Sequence, residues 1–345
     1  GKPRVPVCWK FRDGYFRSDI NFMDELRKVL KNWIPEKILS EKNELLFKCL
    51  NCRNLEFSEP FFNDTLRKFR SLPANLKQYN SVVTAGMINE WAGNIDFVPP
   101  SAFVFHVSRC GSTLVSQCLG LNSEYISLSE VPLFDQVLRL AVSKDDAMKT
   151  SAQQLFRSVV KIYGAKRTGA ENRLFIKNDC WHLMFCKQLR SLYPDTPFVI
   201  MYRSPAAVIE SNRRTSGLQC INSFVPPDIY GMEGKLSDED TRPDNYFRMA
   251  LDKFYRAIIE IATVDSRTLL LNYNEGLPVI MSQIAAFTGT EFSAAFQGKI
   301  LERGAYHAKK PGEQFVEKNT AAECKGIESL EELYNSIEKI RVKSR

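Results

Sequence analysis

Two places in this sequence set a fixed positive charge directly after a short apolar run, and both suit an anionic ligand. The first is Phe103-Val-Phe-His-Val-Ser-Arg-Cys-Gly-Ser-Thr-Leu114. An apolar strand ends, a turn of small residues carries Arg109, and a helix is expected to begin near Ser112. Backbone N–H groups at such a helix start have no partner within the helix and point toward any anion placed there. Gly111 lets the chain approach closely, and Ser112 and Thr113 add hydroxyl donors. The second place is Phe198-Val-Ile-Met-Tyr-Arg-Ser-Pro-Ala-Ala-Val-Ile-Glu-Ser211. Arg203 stands at the carboxyl end of an apolar strand, Pro205 opens a helix, and Ser211 lies about two turns further on.

The chemistry this serves is not that of a Walker loop. The pattern G-x-x-x-x-G-K-[ST] needs a first glycine and a lysine that are missing around Gly111, so metal-assisted transfer of a γ-phosphate is disfavoured. Each motif also has a plain structural reading: a strand-turn-helix junction for the first, a strand-end salt bridge for Arg203. Two phosphate grips at two strand ends make that reading weaker. Ligands of open parallel sheets bind at the carboxyl edge of the strands.

The elements that would hold these residues follow from the hydrophobic pattern. After Pro99 and Pro100, short apolar runs alternate with helical segments. Strands are expected at Ala102 to Val107, Tyr125 to Leu128, Leu174 to Lys177, Phe198 to Tyr202 and Thr268 to Leu271. Helices are expected from Ser112, over His182 to Leu192, from Pro205 and over Pro278 to Phe287. Alternation of this kind predicts an α/β fold with a mainly parallel central sheet flanked by helices. Residues 215–243, rich in Gly, Pro, Asp and Ser, read as a long loop, of a length that is usually functional or disordered. Phe247, Leu251, Phe254, Ile258 and Ile261 mark one face of the helix after it. The first hundred residues read as helical and irregular, with Phe22, Leu26, Val29, Leu30 and Trp33 at helical spacing and a second helix from about Ser58. Ile327 to Ile340 reads as a charged amphipathic helix docked at the periphery. The expected organisation is an N-terminal helical extension over 1–98, a catalytic domain over 99–315 and a helical tail over 316–345.

Composition adds bounds. The 345 residues carry a net charge of +7, which favours anionic ligands, and no long Lys/Arg run suggests a nucleic-acid partner. No stretch is long enough to span a membrane and no leader is visible, so a cytoplasmic protein is expected. The nine cysteines are scattered and odd in number, as in a reducing compartment. Cys49 and Cys52 form a C-x-x-C pair with no second pair nearby, so no metal is expected.

Taken together, the motifs resemble the sulfotransferase family that uses PAPS as donor. Ser108-Arg-Cys-Gly-Ser-Thr-Leu114 resembles its 5′-phosphosulfate loop, [PR]-[KR]-S-G-T-T-L, with Cys110 in place of serine. Arg203 and Ser211 keep the spacing of its 3′-phosphate element. Leu269-Leu-Leu-Asn-Tyr-Asn-Glu275 and Ile284-Ala-Ala-Phe-Thr-Gly289 resemble its later strand-helix element. Phe175-Ile-Lys-Asn-Asp-Cys-Trp-His-Leu183 is a looser match to F-x-x-K-[SD]-P-x-H-L, with Asp179 where proline is usual. Tyr306-His-Ala-Lys-Lys-Pro-Gly312 resembles the basic loop that closes over the 3′-phosphate. The resemblance covers about residues 100–312.

The resemblance implies a P-loop-like three-layer sandwich, PAPS as donor, PAP as product and no metal. Arg109, Cys110, Gly111, Ser112, Thr113 and Leu114 would hold the 5′-phosphosulfate, and Lys177 would reach the sulfonate oxygens. Arg203, Ser211, Lys309 and Lys310 would hold the 3′-phosphate, with Tyr273 against the nucleotide. Glu130 is the first candidate for the general base, by its distance from the loop arginine as in tyrosylprotein sulfotransferases; its plain reading is an acid before a helix start. His182 is the second, since a neutral imidazole suits base work, and its plain reading is a buried histidine beside Trp181. His106 reads as structural. Phe224, Tyr230, Phe61 and Phe62 are candidates for lining an acceptor pocket. The acceptor is expected to be a small molecule sulfated on a hydroxyl or an amine. The competing readings are an ATP-dependent small-molecule kinase and a PAP-binding protein without activity.

Overall fold

A computed structural model describes residues 20–41, 44–53, 57, 59–76, 81–141, 146–232, 234, 236–306, 308, 313–314 and 324–344. In chain order these form α1 (Ile20–Leu30), β1 (Trp33–Glu41), β2 (Glu44–Asn51), α2 (Phe62–Arg70), β3 (Ser81–Thr84) and α3 (Ala85–Gly93). Next come β4 (Ala102–His106), α4 (Ser112–Leu119), β5 (Tyr125–Ser129), α5 (Pro132–Leu140), α6 (Asp146–Tyr163) and β6 (Arg173–Lys177). The rest is α7 (Cys186–Leu192), β7 (Phe198–Tyr202), α8 (Pro205–Arg214), α9 (Pro243–Val264), β8 (Thr268–Asn272), α10 (Leu277–Thr288), α11 (Ala294–Gly304) and α12 (Glu328–Lys343). The chain divides into two compact units, Gly1–Pro99 with Glu130–Leu174, and Pro100–Ser129 with Phe175–Arg345. Residues 130–174, inside the span expected for the catalytic domain, thus group with the first hundred.

The first unit corrects the reading of that region as helical. The periodic run ends when Asn32 N–H bonds the Val29 carbonyl, and Trp33 opens a strand instead. β1 and β2 pair antiparallel from Trp33 opposite Asn51 to Glu41 opposite Glu44, and β3 extends the sheet beyond β2. Strand pairing of this kind draws its stability from a partner segment, which local periodicity does not display. Pro35 has no N–H for the ladder, and the register slips between Pro35 and Lys37. Glu36, at the slip, is 2% exposed and is neutralised by Arg70 at 2.5 Å and Lys48 at 3.2 Å. The core of this unit gathers on Tyr163, whose hydroxyl donates to the Pro35 carbonyl at 2.6 Å and whose ring meets Phe134 and Phe62. α2 starts at Phe62, after Pro60; Ser58, expected as its cap, lies outside the described residues.

The second unit is built on a five-stranded sheet in the order β5-β6-β4-β7-β8. The β4–β6, β4–β7 and β7–β8 pairs are parallel. β4 and β7 are buried at every position, as parallel strands covered on both faces must be, which is why they read as unbroken apolar runs. The expected α/β sheet flanked by helices is thus present. α9 buries Phe247, Leu251, Phe254, Ile258 and Ile261, as its stripe predicts. The 215–243 segment contains two short 3-10 turns, Leu218–Cys220 and Pro227–Tyr230. Two details differ from expectation. The helix expected from His182 is a 3-10 turn over Cys180–Phe185 followed by α7. α12 is not peripheral: it packs on α9 and β8 and buries Leu330 and Ile337. Among the described residues no helix is long and apolar enough to cross a membrane.

Candidate functional site

The loop between β4 and α4 has an unusual backbone. Ser108 (φ 70°), Arg109 (φ 52°) and Gly111 (φ 80°) are all left-handed. That region costs a non-glycine residue of order 1 kcal/mol or more, and it persists where the surroundings dictate it, often at ligand sites. A left-handed residue next to a right-handed or turn residue gathers successive N–H groups into a concave anion nest. Leu114 and Val115 N–H both bond the Gly111 carbonyl. Helix α4 therefore does not use the N–H groups of Ser112 and Thr113, and Gly111 at the N-cap has no side chain to cap them, though the Ser112 N–H faces the Cys110 sulfur.

Several contacts hold this loop. His106 Nδ1 accepts from Ser108 N–H at 3.1 Å, which leaves the proton on Nε2 to donate to the Asn178 carbonyl at 3.0 Å. His106 thus ties the tip of β4 to that of β6 in the structural role expected for it. Gln219 Nε2 donates to the Ser108 hydroxyl at 3.0 Å and to Asn212 Oδ1 at 2.9 Å. The Cys110 thiol is fully buried and donates to the Met201 carbonyl at 3.3 Å. Burial pushes that thiol up to about 11, against hydrogen bonds from Ser112 and Val107 and the nearby charge of Lys177. Cys110 can therefore offer a ligand only its backbone. Lys177 is the last residue of β6, sits opposite Val104 of β4 and is 2% exposed.

Three expected ligand residues, far apart in sequence, meet here. Arg203 follows β7, and its Nη1 donates to the Arg109 carbonyl at 3.4 Å. Its guanidinium lies over the Tyr273 ring, 4.0 Å from the centroid. The same ring borders the loop between β4 and α4, since a Cβ at Gly111 would lie 3.1 Å from it. Tyr255 hydroxyl donates to the Arg203 carbonyl at 2.6 Å and fixes the backbone there. The Arg109 guanidinium donates to the Thr215 carbonyl. Burial, the largest cause, and the neighbouring charge of Arg214 lower its pKa, while Cys220 and Cys180 oppose the shift. Ser211 lies on α8, two turns beyond Ser204 and on the same face. Sequence reasoning missed Gln219, Tyr255 and Thr215, because each acts through a contact with a distant segment and none belongs to a motif.

The remaining candidates fall differently. His182 is 1% exposed, edge-on to Trp181 and Phe185, with Nε2 3.7 Å from Asp179 Oδ2. Glu130 belongs to the first unit, directly follows the last residue of β5 and is itself left-handed (φ 56°). Lys309, Lys310 and His307 lie outside the described residues. Their neighbour Ala308 is described: its carbonyl accepts from Gln117 of α4 at 3.0 Å and from Arg303 at 3.4 Å. Of the aromatic pocket candidates, Tyr230 and Phe62 are core residues, and Phe224 is 42% exposed with its ring against Trp181.

No protein-family model matches the chain, and no curated protein does. Solved structures do. The sulfotransferase STF9 from Mycobacterium avium is 13% identical over 66% of this chain and 72% of its own, with a TM-score of 0.40. The sulfotransferase domain from the Synechococcus PCC 7002 olefin synthase is 17% identical over 72% of this chain and 95% of its own, with a TM-score of 0.40. A sulfotransferase from Alicyclobacillus acidocaldarius is 15% identical over 60% of this chain and 94% of its own, with a TM-score of 0.35. The chain is similar in structure, at low identity, to bacterial sulfotransferases.

Proposed function

We propose that this protein transfers the sulfuryl group of PAPS to a hydroxyl of a small-molecule acceptor and releases PAP. The observation that carries this reading is the meeting of two basic strand tips, Arg203 on Arg109 at 3.4 Å, with Tyr273 stacked on the first and bordering the loop of the second. A ligand with two phosphates on one sugar and an aromatic base beside them suits such a site.

In the reaction the acceptor oxygen attacks sulfur in line with the bond from sulfur to the 5′-phosphate oxygen. That bond breaks, its electron pair stays on the phosphate, and the acceptor's proton passes to a base. Charge grows on the leaving oxygen, where Arg109 and the Ser112 and Thr113 N–H groups are suited to receive it. Lys177 serves the sulfonate oxygens. Arg203 and Ser211, with Lys309 and Lys310, hold the 3′-phosphate. Glu130 is the base. Its strained backbone directly after a strand's carboxyl end supports that role. The burial of His182 favours a packing role for it. Leu218, Ile221 and Phe224 are 48%, 41% and 42% exposed in one loop. Thr215 and Gln219 tie that loop to Arg109 and Ser108. Such a surface suits an acceptor with an apolar body. The enzyme works in a reducing, cytoplasmic setting, in keeping with its scattered cysteines.

Calorimetry with PAP, followed by an acceptor panel with radiolabelled PAPS, tests the reading. PAP is expected to bind and label to pass to a hydroxylated amphiphile. No heat of binding with PAP, or magnesium-dependent ATP turnover in its place, would overturn it.

A further inference from the structure

Tyr202 and Asn272 are cross-strand partners at the carboxyl ends of β7 and β8. Each immediately precedes one member of the Arg203–Tyr273 stack. Both side chains converge on one carboxylate, Glu338 of α12. The Tyr202 hydroxyl donates to Glu338 Oε1, and Asn272 Nδ2 donates to the same oxygen at 2.8 Å. Arg341 neutralises the carboxylate through Nη2 to Oε2 at 2.6 Å and Nε to Oε1 at 3.2 Å. Asn272 Nδ2 also reaches the Tyr334 hydroxyl at 2.8 Å, so α12 grips this strand end twice.

The network continues into the turn that carries Tyr273. Arg341 Nη1 donates to Glu275 Oε1 at 3.2 Å, and Glu275 Oε2 accepts from Asn272 N–H at 2.9 Å. Asn272 Oδ1 accepts from Asn274 N–H at 3.0 Å and closes a capping box around the turn. Tyr202 is fully buried and Asn272 is 3% exposed, so water does not replace these bonds once they are broken.

We infer that Glu338 is a positioning residue for the donor: it fixes the spacing of the β7 and β8 tips, and through them the Arg203–Tyr273 stack. A stack at 4.0 Å tolerates little relative movement of the two tips. One ionised acceptor shared by both tips supplies stronger, more directional restraint than packing alone. This inference rests on the reading of the stack as part of the PAP site.

The test is the Glu338→Gln variant, which keeps the side chain's size and removes its charge. Calorimetry should show a PAP Kd weaker by about tenfold, from the loss of charge-assisted hydrogen bonds. Donor KM should rise in parallel while acceptor KM and kcat stay near wild type, a split that general destabilisation does not produce. Tyr202→Phe should shift PAP affinity the same way by about threefold, since one of the bonds is lost. Lys339→Ala, an exposed neighbour on α12, should bind PAP as wild type does. A Glu338→Gln protein that melts normally and binds PAP within twofold of wild type would sink the inference. Should that variant not fold, unchanged PAP affinity in Tyr202→Phe decides against it equally. Failure of the wild-type protein to bind PAP would instead overturn the donor reading itself.

Discussion

The Arg203 guanidinium lies over Tyr273, 4.0 Å from the ring centroid, and a Cβ at Gly111 would lie 3.1 Å from the same ring. A planar cation on an aromatic face carries its N–H donors at its edge, and in Arg203 one of them reaches the Arg109 carbonyl.

Arg203→Lys keeps the charge and removes both the plane and the paired donors. PAP affinity should fall about tenfold in that variant and about a hundredfold in Arg203→Ala, by the cost of losing a stacked, charge-assisted contact. Tyr273→Phe should bind PAP within about twofold of wild type, because the ring stays. Calorimetry distinguishes these, and a lysine variant equal to wild type would detach Arg203 from the site.

Gly111→Ala faces two penalties. The backbone there is left-handed, at φ 80°, and the new methyl would lie 3.1 Å from Tyr273. Stability should drop by about 1–3 kcal/mol, seen in thermal melting, and PAP binding should weaken with it. An alanine variant with unchanged melting would mean that the loop relaxes freely.

Two variants separate the candidate bases. Glu130→Gln should lower kcat by about a hundredfold while PAP affinity holds. His182→Asn should mainly lower the melting temperature, because His182 is 1% exposed and packed by Trp181 and Phe185. If turnover collapses in the second variant and survives in the first, the assignment is reversed.

Cys110→Ser should leave PAP affinity within about twofold, since a hydroxyl can take over the bond to the Met201 carbonyl and the backbone N–H is retained. In the native protein, burial holds this thiol near 11. The thiolate that alkylates is scarce at pH 8. Iodoacetamide should spare Cys110 at that pH when peptides are mapped, and rapid labelling there would contradict its placement.

Glu338 also predicts an acid response. Burial acts to raise its pKa, and the hydrogen bonds from Arg341, Tyr202 and Asn272 outweigh it, leaving a value below the ordinary 4.5. A carboxylate with a lowered folded pKa contributes stability above its unfolded value and loses it as pH falls through the folded one. Melting temperature should therefore decline below about pH 4.5 less steeply in Glu338→Gln than in wild type. Parallel declines would mean that the carboxylate is not selectively stabilised.

Much of the site could be read along the chain because its parts are local. A strand running into a glycine turn and a helix start is written in consecutive residues, and so are Arg203 and Ser211 on one strand-helix unit. β4 and β7 stood out because strands buried on both faces have no polar side to show. The long loop could be recognised from its composition, yet its working contacts, Thr215 on Arg109 and Gln219 on Ser108, join residues more than a hundred positions apart. The first hundred residues depart from their helical pattern for a related reason: Trp33 continues a helical spacing, and only its partner Asn51 makes it a strand.

By itself, then, the sequence determined the alternating strand-helix order, the small-residue turn at the end of β4 and the chemical character of both proposed anion grips, because each depends on neighbours a few residues away. Tertiary structure alone decided that β4 and β7 lie side by side, that Tyr273 closes against both tips, and that a helix from the end of the chain lends its carboxylate to hold them. Those relations are set by which surfaces bury one another, and burial is settled only when the whole chain has folded.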